Sequence, residues 1–120
     1  MIDQWDDTQP IYQQLRDRTV ARILDGSLAE GEALPSVRHL SVELQINPIT
    51  VSRAYQVLVD DGLVEKRRGL GMYVVEGARE KLLRSEREHF LEHEWPRLKE
   101  RMQQLGIDIQ ELLKKEAGNE

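Results

Sequence analysis

An α+β fold is predicted by three stretches of this sequence. Residues 36–56 read as two short helices joined by a tight turn. Residues 63–75 read as a two-stranded hairpin with glycines at its tip, and residues 77–120 as charged helices carrying a regular apolar seam. Together they predict an N-terminal domain of three helices and a two-stranded wing over about residues 8–76, followed by a short all-helical tail over 77–120.

The first nine residues are polar and acidic apart from Ile2 and Trp5. They predict an extended arm, with Trp5 folded onto the body or onto a partner. Pro10 opens the first helix at the position where its missing N–H costs nothing, with Thr8 or Gln9 upstream as the cap. Ile11, Tyr12, Leu15, Ile23 and Leu24 follow helical spacing, Thr19 fills the missing core step, and Gly26 stops the helix. A polar turn from Ser27 to Ala33 then leads to Leu34-Pro35, after which Ser36 is a natural N-cap.

In the central stretch Val37, Leu40 and Leu44 share one helical face, and the pattern breaks at Gln45-Ile46-Asn47-Pro48. The Asn47 side-chain oxygen can accept a bond from an otherwise orphaned backbone N–H, and Pro48 suits the first helical position. The next helix places Val51, Ala54, Tyr55 and Leu58 on one side and displays Ile49, Ser52, Arg53 and Gln56 on the other. Two short helices about an apolar hinge, with a small polar outward face, form a helix-turn-helix over about residues 37–56. Asp60-Asp61-Gly62 ends it, with Gly62 as a left-handed cap. Leu63–Arg67 and Met72–Val75 read as strands around Arg68-Gly69-Leu70-Gly71, whose glycines allow close approach to another surface.

The tail changes character. Leu91, Trp95, Leu98, Met102, Leu105, Ile109 and Leu112 recur at alternating steps of four and three, an a/d register that normally buries a seam against other helices. Pro96 forbids one unbroken α-helix through Trp95. Gly106 reads as a C-cap, and Asp108 with Glu111 as a capping-box-like pair. Three helices are expected, at about 78–94, 96–105 and 108–116, with Leu82, Leu83 and Phe90 as the apolar stripe of the first. The seam pairs with a second copy of the chain or packs back on the winged domain. Self-association is favoured because that domain already has apolar faces of its own.

Composition narrows the function classes. Apolar content of 39% and charged content of 32% fit a soluble protein, with no apolar run near the roughly 18 residues that span a bilayer and no signal-peptide pattern. There is no cysteine, hence neither a disulfide framework nor a thiolate metal site, and a cytoplasmic location follows. The net charge of −5 argues against nucleic-acid binding when taken as a sum. Its distribution argues otherwise, because Lys66, Arg67 and Arg68 stand together beside the glycine tip.

The placed residues resemble the winged helix-turn-helix domain of the GntR family of bacterial transcription regulators. The resemblance is carried by Pro10-Ile11-Tyr12-Gln13-Gln14-Leu15, Ile23-Leu24-Asp25-Gly26-Ser27-Leu28, Gly31 and Leu34-Pro35-Ser36-Val37-Arg38-His39-Leu40. It continues through Thr50-Val51, Arg53-Ala54-Tyr55, Leu58, Asp61-Gly62-Leu63-Val64, Gly69-Leu70-Gly71 and Tyr73-Val74. The opening motif, the Pro-Ser-x-Arg turn and the short helical tail resemble the YtrA subfamily. The remaining forty-five or so residues are too few for the ligand-binding or aminotransferase-like domains of larger subfamilies. The resemblance implies a dimeric repressor of its own operon, often with ABC-transporter genes, reading a pseudo-palindromic double-stranded operator. It places DNA contacts on Arg38, on Asn47 through Arg53, and on Gly69 to Gly71. The chain departs from the family at Pro48 and Ser52, where many relatives carry basic residues, so the operator sequence is not implied.

The candidate DNA-binding set is therefore Ser36, Arg38, Asn47, Pro48, Ile49, Thr50, Ser52, Arg53, Gln56, Lys66, Arg67, Arg68, Gly69 and Gly71. A guanidinium at Arg38 can clamp a phosphate or a guanine edge, or pair with Glu32 or Glu43. Thr50 and Ser52 can bond phosphate or the preceding turn of their own helix. The wing cations suit phosphate or minor-groove contact, or form a solvated face.

His89-Phe90-Leu91-Glu92-His93 matches an inverzincin-type H-x-x-E-H string, which admits a small metal hydrolase as an alternative. A charged surface helix offers it no further carboxylate ligand or cleft, so neither enzyme activity, metal nor cofactor is expected. A dimeric partner or antitoxin that reads no operator is the other alternative.

Overall fold

The computed structural model describes residues 5–118. The expected arm residues 1–4, Ile2 among them, lie outside that range. The chain forms two compact units, Met1–Leu83 and Arg84–Glu120. The first unit has the order α1 (Ile11–Asp25), α2 (Val37–Leu44), α3 (Pro48–Asp60), β1 (Val64–Arg67) and β2 (Gly71–Val74), then the opening turns of α4 (Ala78–His89).

Residues 5–10 are not an extended arm. The Gln14 side chain gathers them: its Nε2 donates to the carbonyls of Asp6 and Gln9, and its Oε1 accepts from Asp6 N–H at 2.8 Å. Trp5 packs against the core, with the Arg18 guanidinium 3.9 Å above its ring. Pro10 is itself the N-cap residue of α1, with no side-chain capping bond. The core step assigned to Thr19 is filled by Val20, while the Thr19 hydroxyl bonds back to the Leu15 carbonyl at 2.9 Å. Gly26, at φ +86°, stops the helix.

The helix-turn-helix is built as its residues dictate. Ser36 Oγ accepts from His39 N–H at 3.0 Å, and Asn47 Oδ1 from Ile49 N–H at 2.8 Å, so both helices begin on side-chain caps. Gln45 turns the chain between them with φ +57°, unusual for a residue with a side chain. Val51, Ala54, Tyr55 and Leu58 of α3 are the buried set. Val37, Leu40, Leu44 and Ile46 lie half-buried against the core, and the fully buried residue of α2 is Ser41.

The wing is antiparallel, Val64 facing Val74 and Arg67 facing Gly71. Residues 31–33, read from sequence as part of a polar turn, add a third rung together with Leu34. Gly31 N–H bonds the Val74 carbonyl and Leu34 N–H the Met72 carbonyl, each at 2.8 Å, with Ala33 bridging Tyr73. Leu28 and Leu34 are buried beneath it. The unit extends past the expected boundary at residue 76, because Ala78 and Leu82 of α4 complete its core. Arg79 and Lys81 add bonds at 2.8 Å to the carbonyls of Leu24 and Asp61.

The second unit is continuously helical from Arg84 to Gln104. The interruption expected at Pro96 is absorbed as a π-helical turn, Phe90–Glu94, immediately before α5 (Trp95–Gln104). Trp95 N–H reaches the Phe90 carbonyl five residues back, and the widened turn accommodates a proline that can neither donate nor fit under a normal α-turn. Gly106, at φ +70°, closes α5 with bonds from Gly106 N–H to the Gln103 carbonyl and from Ile107 N–H to the Met102 carbonyl. Asp108 starts α6 (Ile109–Gly118), its carboxylate accepting from Gln110 N–H rather than from Glu111 N–H. No helix among the described residues is long and apolar enough to cross a membrane.

Candidate nucleic-acid interface

On the first unit the start of α2, the outer face of α3 and the wing enclose a groove of about 600 Å³. Its polar lining includes Ser36, Ser52, Gln56 and Lys66, and Gly71 and Leu70 bring the wing tip to it. Tyr55 underlies the groove and fixes its geometry. The ring is buried and the hydroxyl donates to the Pro35 carbonyl at 2.7 Å, tying α3 to the segment that launches α2. Burial pushes the phenol up to about 12.

The remaining candidates divide by what already holds them. Arg38 is exposed on α2 and has no ion-pair partner among the described residues; it is His39 that faces Glu43, at 3.6 Å. Arg53 is exposed, with its guanidinium 4.0 Å above the ring of Tyr12, so α1 steers the recognition-helix cation. Gln56 Nε2 donates to Asp60 Oδ1 at 2.9 Å. Asn47 and Pro48 are exposed at the start of α3, Ile49 is 74% exposed, and Thr50 is half-buried.

The three wing cations do not share one face. Strand alternation sets Lys66 with Val64 and Met72 on the groove side, and Arg67 with Glu65 and Tyr73 on the other. Arg67 Nε bonds Glu65 at 3.0 Å and its guanidinium stacks 4.2 Å over Tyr73. Lys66 and Arg68 have no ion-pair partner among the described residues. Gly69 and Gly71, at φ +76° and +111°, make the sharp tip. Between them Leu70 is 68% exposed, a site feature without a periodicity signal because strand alternation ends at Arg67.

With this geometry in place the comparisons decide the identity. Residues 9–74 match the family of bacterial regulatory proteins, gntR family. The chain belongs to the GntR family. An HTH-type transcriptional regulator of Bacillus subtilis, YhcF, is 33% identical over 94% of this chain and 92% of its own. The repressor YtrA of the same organism is 37% identical over 82% of this chain and 70% of its own. A solved GntR family transcriptional regulator from Listeria monocytogenes gives a TM-score of 0.74 at 28% identity, covering 95% of this chain and 98% of that one. The solved YtrA from Sulfolobus acidocaldarius gives 0.57 at 34% identity, covering 76% and 80%. This GntR-family chain is a DNA-binding transcription regulator of the YtrA type, in a family of regulators rather than enzymes.

The GntR assignment removes the hydrolase alternative. The rings of His89 and His93 stand 4.9 Å apart, and His89 faces Glu94 at 3.7 Å rather than the motif's Glu92. Among the described residues no group of three or more His, Cys, Asp or Glu could hold a metal.

Proposed function

We propose that this regulator is a cytoplasmic homodimeric repressor that binds a pseudo-palindromic operator upstream of its own operon, which commonly includes transporter genes. The observation that carries this reading is the convergence of Ser36, Ser52, Gln56, Lys66 and the glycine tip around one groove. The start of α3 enters the major groove, where Asn47 through Arg53 meet base edges and phosphates. Arg38 and the N-terminus of α2 lie along the phosphate backbone. The wing, through Lys66, Arg68 and the Gly69–Gly71 tip, follows the adjacent strand toward the minor groove.

Two half-sites on one DNA face lie about 34 Å apart per helical turn and need two domains in fixed register. The tail supplies the register by pairing with its copy. Leu91, Leu98, Leu105, Ile109 and Leu112 are 41–55% exposed, and Trp95 and Met102 are half-buried. Each such side chain contributes roughly 1.5–3 kcal/mol when fully buried, before ordering costs. The repressor assignment draws support from B. subtilis YtrA, which is named a transcriptional repressor.

The test is an electrophoretic shift of the chain's own upstream region, run beside analytical sedimentation of the free protein. A specific shift by a dimer is expected. A dimer that shifts no duplex specifically would instead fit a partner protein that reads no operator.

A further inference from the structure

We propose that Ile49 reads the 5-methyl group of a thymine in the major groove and so sets part of the operator's sequence. The inference deepens the operator-binding reading above and rests on it. At 100° per residue, the buried set Val51, Ala54, Tyr55 and Leu58 centres on one direction, and Ile49 falls within about 10° of its opposite. The most outward point at the start of the recognition helix is thus a branched hydrocarbon, 74% exposed and at the second helical position. Residues at that end of a recognition helix are the ones that reach base edges.

Three polar side chains near Ile49 already have partners within the protein. Asn47 Oδ1 accepts from the Ile49 N–H, Gln56 donates to Asp60, and Arg53 lies over Tyr12. Base edges in the major groove offer donors, acceptors and one apolar feature, the thymine methyl. Set against a donor or acceptor, the isoleucine would remove water without replacing its hydrogen bonds. Set against the methyl, it buries hydrocarbon on both sides.

The experiment uses the full chain and the duplex it enriches most strongly from a random pool, with each thymine replaced singly by uracil. One thymine per half-site is expected to show about fourfold weaker binding on loss of its methyl. Ile49→Ala should bind the thymine and uracil versions of that site alike. Val42→Ala, an equally exposed apolar side chain on α2 at 71%, should keep the difference. Circular dichroism melting establishes that both variants fold.

Wild-type tolerance of uracil at every position within about twofold overturns the inference, as that is less than one buried methyl contributes. A fourfold penalty that persists in Ile49→Ala also overturns it, because the methyl would then act through DNA shape. Failure to enrich any duplex overturns the operator reading itself, and this inference with it.

Discussion

The first unit of this chain combines helices with a two-stranded wing, the second is almost wholly helical over its described residues, and the two differ in what their helices bury. In the first, fourteen apolar side chains from α1, α3, the wing, the intervening loops and the start of α4 form one core. In the second, none of the described residues is buried, although its apolar residues are in register. A helix of ten residues, such as α6, is marginal in water without tertiary packing. A groove of about 380 Å³ lined by Trp95, Met102, Ile107 and Ile109 shows how little the second unit covers by itself. Local geometry specifies a helix, and only a second surface supplies its stability. The first unit carries that surface within itself, and the second leaves most of its apolar residues exposed.

The contrast can be broken most forcefully by separating the units. Ending the chain after Leu83 should leave a folded monomeric winged unit whose operator affinity falls by about a hundredfold or more, because the linked second binding event is lost. Sedimentation and gel shift read the two effects. A full-length chain that sediments as a monomer at micromolar concentration would remove this role from the tail. Ending the chain after Glu76 should also destabilise the unit by about 2–5 kcal/mol, since Leu82 leaves the core with Ala78.

Matched leucine-to-alanine changes sharpen the same comparison. Leu58→Ala, at a position with no exposure, should lower unfolding free energy by about 2–5 kcal/mol at any protein concentration. Leu105→Ala, at 55% exposure, should leave the melting of the winged unit in place and shift the monomer–dimer equilibrium. Equal effects on chemical denaturation curves would erase the distinction between the units.

Within the first unit, core and surface separate next. Arg38→Ala and Arg53→Ala should each cost about 1–3 kcal/mol of operator affinity with melting almost unchanged, since both side chains are exposed. Wild-type affinity in a folded Arg53→Ala protein would confine that guanidinium to its stacking on Tyr12. The smallest effect is expected from Tyr55→Phe, about 1 kcal/mol for the lost bond to the Pro35 carbonyl.

That substitution also changes the pH profile. Burial raises the folded phenol from 10.0 to about 12, so the folded state favours the neutral form. The stability this contributes is complete below pH 10 and lost as pH climbs through about 12. Denaturation between pH 9 and 12 should show the alkaline loss in wild type and a weaker one in Tyr55→Phe.

Much of the winged unit was legible in the residues. Ser36 and Asn47 signalled helix starts, Gly26 signalled a stop, and the spacing of Val51, Ala54, Tyr55 and Leu58 identified the buried face of α3. These are local properties: a cap bonds within three residues, a glycine answers to its own φ, and a helical face is set by a period of 3.6. Family membership was legible for the same reason, because its motif residues are those local punctuation marks joined to a core pattern. Tertiary packing decided the rest. It chose Val20 over Thr19 for the core, bent residues 31–34 onto the wing, and drew Ala78 and Leu82 into the first unit. It also laid Arg53 over Tyr12. Each of these depends on which distant surface a side chain meets, and sequence periodicity carries the direction of a side chain but not the identity of its neighbour.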